Sequence, residues 1–185
     1  MLLGFSILAV ELLLKAFYGF RVSGLEKIPK SGRLIIACNH ISVVDPPALG
    51  VAVSRVRKVY CLAKKELFHP APAGWYLRDL GCIPVDRGRS GGDLGAIRAV
   101  MSVLSGENSI IIFPEGTRAR KGIAPDPKPG IGLIAKKSGA PVLTARIFGT
   151  GRFPERNRIT VSFGRLMRFE PGPAETRKAY TDFAA

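Results

Sequence analysis

The fold and the chemistry of this chain depend on one stretch, residues 34–47, which is Leu34-Ile35-Ile36-Ala37-Cys38-Asn39-His40-Ile41-Ser42-Val43-Val44-Asp45-Pro46-Pro47. Its five leading apolar residues have the length of a buried strand. The prolines that follow are typical of the first turn of a helix, predicted over Pro46 to Val53. His40 and Asp45 therefore lie where a strand ends. An imidazole oriented by a carboxylate can take a proton from a hydroxyl, so both are candidate catalytic residues.

Apolar runs of strand length alternate with helical patterns along the rest of the 185 residues. One helical pattern places Leu94, Ile97, Met101 and Leu104 on a single face, which we expect to pack on the core. This alternation predicts an α/β domain over residues 21–185, with a mostly parallel or mixed central sheet flanked by helices. The predicted strands after the first are Lys58–Ala63, Cys82–Val85, Ser109–Phe113, Val142–Phe148 and Arg158–Phe163.

Residues 1–20 form a separate hydrophobic segment, interrupted only by Glu11 and Lys15. The run before Glu11 is shorter than the roughly 20 apolar residues that cross a bilayer. It also lacks the basic start and the cleavage site of a signal peptide. Two interpretations remain: a helix packed on the core, or a helix in the membrane interface. Apolar residues cover most of the helix circumference, which favours a membrane-associating segment.

The chain is strongly basic, with 28 Lys and Arg against 14 Asp and Glu and a net charge of +14. Such a charge suits an anionic membrane or a nucleic acid. No nucleic-acid-binding motif is present, so we expect the membrane. Cys38, Cys61 and Cys82 are far apart in sequence, which argues against a disulfide framework or a zinc site and favours a reducing cytosolic location. We expect no bound metal.

Two further polar clusters follow predicted strands: Asp86-Arg87, and Glu115-Gly116-Thr117-Arg118. Sites in open α/β sheets form at the carboxyl ends of strands, so we expect both clusters near His40, at neighbouring strand ends. Arginine matches phosphate geometry, and a glycine lets the backbone approach closely. No P-loop, dinucleotide fingerprint or nucleophile elbow is present. The pattern predicts transfer to a hydroxyl of a phosphate-bearing substrate.

Residues 39–45 resemble the Asn-His-x-Ser-x-x-Asp motif of the glycerolipid acyltransferases related to 1-acyl-sn-glycerol-3-phosphate acyltransferase. The resemblance spans roughly residues 22–164 and rests on several ordered motifs. After the first, these are Ala63-Lys64-Lys65-Glu66-Leu67, Gly74-Trp75, Gly81-Cys82-Ile83-Pro84-Val85-Asp86-Arg87, Phe113-Pro114-Glu115-Gly116-Thr117-Arg118, Lys128-Pro129-Gly130 and Ala140-Pro141-Val142.

The resemblance implies a single-step reaction without an acyl-enzyme. His40, held by Asp45, would deprotonate the sn-2 hydroxyl of lysophosphatidic acid, which would attack the thioester of acyl-CoA or acyl-acyl carrier protein. The glycerol phosphate would be bound by Arg118 with Glu115, Gly116 and Thr117, assisted by Arg87. No metal or cofactor beyond the acyl donor is implied, and the product would be phosphatidic acid for phospholipid biosynthesis.

The same resemblance implies peripheral or monotopic attachment at the cytoplasmic face of the cell membrane. The expected partners are the lysophospholipid, an anionic bilayer and the acyl donor, and nucleic acid is not expected. Alternatives are another acceptor, such as glycerol 3-phosphate or a lyso-aminolipid, and a non-catalytic lipid-binding module. Relatives usually have an apolar, proline-containing strand where this chain has Arg146, which we expect to change the acceptor pocket.

Overall fold

A computed structural model describes residues 2–86, 92–119, 125–170 and 177–184 and shows an α/β fold, a mixed sheet flanked by helices. The helices are α1 (Leu2–Tyr18), α2 (Asp45–Ser54), α3 (Ala71–Asp79), α4 (Gly92–Ser105), α5 (Gly130–Ser138) and α6 (Arg177–Ala184). The strands are β1 (Arg21–Ser23), β2 (Leu34–Cys38), β3 (Val59–Lys64), β4 (Cys82–Val85), β5 (Ser109–Ile112), β6 (Val142–Phe148) and β7 (Thr160–Met167).

The strands of the described sheet lie in the order β1-β7-β6-β2-β5-β3-β4. Neighbours are parallel apart from β6 and β7, which are antiparallel. The central strand β2 lies between β6 and β5, so its carboxyl end adjoins that of β5. Strand β4 lies at the sheet edge and is separated from β5 by β3. The expectation that Asp86 and Arg87 follow a strand next to β2 or β5 is therefore wrong, because strand order depends on pairing between distant segments.

Strand β2 is buried on both faces, which explains its unbroken apolar sequence. Leu34 and Ile36 pack in a core cluster with residues of α1 and α2. Ile35 points the other way, into a second cluster with residues of α4 and α5. All three side chains are fully buried. The strand that leads to His40 is thus fixed from both sides.

Helix α4 does not use the predicted apolar face throughout. Leu104 is fully buried, but Leu94 is 62% exposed, and Val100 and Val103 are buried instead. At 100° per residue, Leu94 lies about 120° from Val100 and about 180° from Val103 around the helix axis. The predicted packing of Leu94 is therefore wrong, whereas Ile97, Met101 and Leu104 of the same stripe pack in the second core cluster as predicted.

Helix α1 has two apolar faces. Leu14 is buried in the core cluster, and Ile7, Val10 and Tyr18 pack against that cluster. The opposite side exposes apolar side chains, namely Phe5, Leu8, Leu12, Leu13 and Phe17, which are 47–73% exposed. Among the described residues, no helix combines the length and the apolarity needed to cross a membrane.

The charges within α1 are paired. Glu11 Oε1 lies 2.7 Å from Lys15 Nζ and 2.8 Å from Nη2 of Arg55, which directly follows α2. The hydrogen bond from Lys15, with help from Arg55, holds the pKa of the Glu11 carboxyl below its usual range. The ion pair with Arg55 fixes α1 to the C-terminal end of α2.

Candidate active site

His40 and Asp45 are in direct contact where β2 passes into α2. The Nδ1 atom of His40 lies 2.9 Å from Oδ2 of Asp45. The Asp45 side chain is fully buried, and the His40 side chain is 13% exposed. Since an ionised carboxylate only accepts hydrogen bonds, Nδ1 carries the proton of this contact. The other ring nitrogen, Nε2, then has the free lone pair that a base needs.

Asp45 Oδ2 is also bound by backbone N–H groups of the loop between His40 and α2. Ile41 N donates to it at 2.6 Å and Ser42 N at 2.7 Å. Burial raises the pKa of the Asp45 carboxyl, but the hydrogen bonds from His40 and from the Ser42 and Ile41 backbones, together with the nearby Thr150 side chain, hold it below its usual range. Asp45 is therefore charged at neutral pH, despite its complete burial.

The residues after β5 fix the other side of the His40 ring. Phe113 stacks on the imidazole, with centroids 4.1 Å apart and planes tilted by 21°. Glu115 Oε1 accepts the His40 backbone N–H at 3.3 Å. Ala119 N donates to the His40 carbonyl at 2.8 Å. The structure thus brings the predicted third cluster to His40, as the adjacency of β2 and β5 requires.

The turn at residues 115–118 presents a glycine, a hydroxyl and a cation. Gly116 has φ of 70°, a left-handed conformation that favours glycine. Its position also leaves room for Lys128, since a Cβ there would lie 3.2 Å from Lys128 Nζ. The Thr117 and Arg118 side chains are exposed. The turn therefore offers a hydroxyl and two basic side chains, Arg118 and Lys128, to an anion.

The Glu115 side chain is the buried member of this turn, with 9% exposure. Its Oε2 atom has no hydrogen-bond partner among the residues that the structure describes. A buried carboxylate oxygen without a partner is costly. Glu115 can accept a hydrogen bond from a hydroxyl that enters the site.

Of the second predicted cluster, the structure describes Asp86 alone. Asp86 forms an ion pair with Lys65 at 2.5 Å, near the sheet edge. Arg87 lies outside the described residues. Arg146, which we expected to alter the acceptor pocket, lies on the opposite face of β6 from Ala145 and Ile147, with its guanidinium 4.9 Å from the Phe148 ring centroid.

Sequence reasoning missed the role of Asn39. Its Nδ2 donates to the Ile147 carbonyl at 3.0 Å, and its Oδ1 accepts the Ile147 N–H at 2.8 Å. The side chain thereby continues the pairing of β2 with β6 past the end of β2. This contact needed the strand order, which no local pattern supplies.

The remaining titratable groups give no metal-binding site in the described ranges 2–86, 92–119, 125–170 and 177–184, which hold no group of three or more His, Cys, Asp or Glu suited to a metal ion. All three cysteines are free. Burial, with the charges of Asp45 and Glu115, raises the pKa of the Cys38 thiol, so this thiol is an inert neighbour of the site.

Comparison with known proteins places the chain among acyltransferases. The family model described as Acyltransferase matches residues 19–148, a range that includes His40, Asp45 and residues 115–118. The structure resembles the crystal structure of the 1-acyl-sn-glycerophosphate (LPA) acyltransferase from Thermotoga maritima. The TM-score is 0.75 at 26% identity, and the match covers 98% of this chain and 78% of that chain.

Three relatives named 1-acyl-sn-glycerol-3-phosphate acyltransferase show the range of similarity. The Bacillus subtilis protein is 31% identical over 76% of this chain and 68% of its own length. The Borreliella burgdorferi protein is 33% identical over 75% of this chain and 54% of its own length. The chloroplastic Brassica napus protein is 29% identical over 74% of this chain, which spans only 39% of that relative's length. The chain belongs to the acyltransferase family.

Proposed function

We propose that the chain transfers an acyl group from acyl-CoA or acyl-acyl carrier protein to the sn-2 hydroxyl of 1-acyl-sn-glycerol-3-phosphate. The product is phosphatidic acid, a step of phospholipid biosynthesis. The observation that carries this proposal is the 2.9 Å contact of His40 Nδ1 with the buried Asp45. The names of the relatives support the choice of acceptor.

In the proposed step, His40 Nε2 takes the proton of the sn-2 hydroxyl while the oxygen attacks the thioester carbonyl carbon. The carbon–sulfur bond then breaks, and the leaving thiolate takes the proton from the imidazolium. Asp45, held charged by its hydrogen bonds, stabilises the imidazolium between these events. A lipid-binding module without catalysis needs no such base. The His40–Asp45 pair, which we call the dyad, therefore argues against that alternative.

The acceptor phosphate is proposed to bind at the turn after β5, with Arg118 as its main cation and Glu115, Gly116 and Thr117 completing the site. This turn is bonded to His40 itself through the Glu115 side chain and the Ala119 N–H. The separation of base and phosphate site is therefore fixed by hydrogen bonds. A fixed separation suits an acceptor whose hydroxyl lies a few bonds from its phosphate. By family resemblance, Arg87 is proposed to assist.

We propose further that the enzyme works at the cytoplasmic face of the cell membrane, attached through α1, and that it requires no metal or cofactor besides the acyl donor. The exposed apolar face of α1 and the net charge of +14 support this attachment. Apolar burial and attraction to anionic lipids act together at such interfaces. Acceptor and product are both lipids, so a bilayer location also brings the enzyme to its substrate.

The experiment that tests the function is an acceptor panel assayed with both donors. The panel holds 1-acyl-sn-glycerol-3-phosphate, glycerol 3-phosphate, a lyso-aminolipid and a monoacylglycerol, each with acyl-CoA or acyl-acyl carrier protein. We expect ester formation on 1-acyl-sn-glycerol-3-phosphate at the highest kcat/KM. A preference for glycerol 3-phosphate or the lyso-aminolipid would replace the proposed acceptor, and no transfer to any of them would contradict the function.

His40→Ala tests the base, and His69→Gln is the matched control. These are the two histidines of the chain, and the His69 side chain is exposed. General base catalysis contributes about 10²–10⁴ in rate, so we expect His40→Ala to lose at least about a hundredfold in kcat. His69→Gln should keep the parent rate. Unchanged turnover of His40→Ala would disprove the mechanism.

A further inference from the structure

One carboxylate oxygen of the dyad, Asp45 Oδ1, takes no part in the hydrogen bonds to His40, Ile41 and Ser42. Asp45 Oδ1 is buried and has no hydrogen-bond partner within the described residues. The same is true of the hydroxyl oxygen of Thr150. Asp45 is 0% exposed and Thr150 is 1% exposed. Two buried polar atoms without partners in one region are unusual. The simplest account is a hydrogen bond between the two residues.

The fold carries Thr150 to the dyad on a tightly held turn. The turn, Thr150–Arg152, follows β6 directly after Gly149, which has φ of 88° and whose added Cβ would collide with the Arg158 carbonyl. Gly151 packs on the loop that contains the dyad, since a Cβ there would lie 3.0 Å from Cγ2 of Ile41. The end of β6 is also bound to Asn39 through Ile147. Both sides of Thr150 are thus anchored to the His40 loop.

The Thr150 hydroxyl already acts on the carboxylate. It is one of the groups that hold the pKa of Asp45 below its usual range, although its position does not meet strict hydrogen-bond geometry. Oδ2 is occupied by His40 and two backbone N–H groups. The oxygen left for the hydroxyl is therefore Oδ1.

We propose that Thr150 is a positioning residue whose hydroxyl donates to Asp45 Oδ1. This bond fixes the plane of the carboxylate, so that Oδ2 stays on His40 Nδ1 while the ring gains and loses its proton. The role rests on the proposed function, because it acts through His40 and Asp45. Nothing in the local sequence around residue 150 indicates it, since the contact joins segments 105 residues apart.

The first test is an NMR titration of the His40 ring, which requires no acyl transfer. With His69→Gln as the background, His40 is the one ring to observe. In Thr150→Val, the carboxylate loses a donor and attracts the imidazolium more strongly, so we expect the ring resonances to titrate at higher pH. Thr150→Ser restores the hydroxyl and should titrate like the parent. The neighbouring titratable groups, Cys38 and Glu115, are unchanged throughout.

Thr144→Val is the matched control for a purely structural threonine. Thr144 lies on β6, the strand that precedes the Thr150 turn, and its hydroxyl oxygen accepts the Arg165 N–H of β7 at 2.8 Å. We expect this variant to lower the thermal unfolding temperature without moving the His40 titration. If Thr150→Val does not fold, Thr150→Ala replaces it in the same comparison.

Steady-state kinetics give the second readout. We expect Thr150→Val to lower kcat about tenfold, the factor that one hydrogen bond to a charged group is worth, with KM for the acceptor unchanged. Thr150→Ser should recover the parent kcat. An unmoved titration in Thr150→Val, or an equal shift in Thr150→Ser, would overturn the proposal even if His40→Ala proves inactive. Conversely, an active His40→Ala would refute the proposed function whatever the titration shows.

Discussion

Asp45 Oδ2 accepts three hydrogen bonds at 2.6–2.9 Å, from His40 Nδ1 and from the N–H groups of Ile41 and Ser42. All three donors lie within the five residues before Asp45, so one short loop supplies all three hydrogen bonds to this oxygen. Hydrogen bonds to an ionised group are worth about 1.5–3 kcal/mol each, which offsets the cost of burying the charge. The close spacing of histidine and aspartate in the sequence thus produces a preorganised base.

At the same scale, Arg118 tests the phosphate site. We expect Arg118→Ala to raise KM for 1-acyl-sn-glycerol-3-phosphate at least about tenfold, because a charge-assisted contact with the phosphate is lost. Arg98→Ala, an exposed arginine on α4, is the control and should not change KM. The measurement is the steady-state KM with each acceptor of the panel. An equal loss with monoacylglycerol, which has no phosphate, would contradict the role of Arg118.

The part of this site that lies in local sequence motifs could be predicted from the sequence. The part that depends on contacts between distant segments could not. His40, Asp45 and Glu115 lie in local motifs at strand ends, and the structure brings them together. Asn39 and Thr150 act through contacts with segments more than 100 residues away, which no spacing pattern contains. Residues such as Asn39 and Thr150 can be assigned a role only when the strand order is known.

Among the elements, α1 is a hydrophobic helix with one face in the core and the opposite face exposed. One face contributes Leu14 to the core, and the opposite face exposes Phe5, Leu8, Leu12, Leu13 and Phe17. The sequence alone could not separate these faces, because both are apolar. Deleting the whole segment would uncover the core as well as remove the exposed face, so point substitutions are the cleaner test of membrane binding.

The exposed face of α1 should determine membrane affinity. We expect the triple variant Leu8→Gln, Leu12→Gln, Phe17→Gln to bind anionic vesicles at least about a hundredfold more weakly in a flotation assay, since each lost side chain removes roughly 1.5–3 kcal/mol of apolar burial at most. Leu94→Gln, an equally exposed leucine on α4, is the control. Binding equal to the parent, with unchanged thermal stability, would show that α1 serves the fold alone.

For the whole molecule, the +14 net charge should make vesicle binding depend on lipid charge and on salt. Each basic residue near an anionic surface contributes about 1 kcal/mol, screened over about 8–10 Å at physiological salt. We expect affinity for vesicles with anionic lipid to fall as salt rises, and affinity for zwitterionic vesicles to be lower and insensitive to salt. Salt-independent binding to both would exclude an electrostatic contribution.

The α/β class and most strands and helices followed from the alternation of apolar runs, and β4 and β6 have the predicted bounds. The strand order did not follow, because pairing depends on contacts between distant segments. This is why Asp86 was expected beside His40 but lies near the sheet edge, paired with Lys65. Likewise, Leu94 fits a helical stripe but not the face that α4 turns to the sheet.

The ion pair of Glu11 with Arg55 has a mechanical consequence. Helix α2 begins at Asp45 and ends at Ser54, one residue before Arg55, and its ten residues span about 15 Å. The C-terminal end of α2 is therefore fixed to α1 through Arg55, and the N-terminal end holds His40 through Asp45. The distance between this ion pair and the Asp45 end of α2, which holds the base, is therefore set by the length of α2. Changing that length by a turn would shift the base by about 5 Å relative to α1.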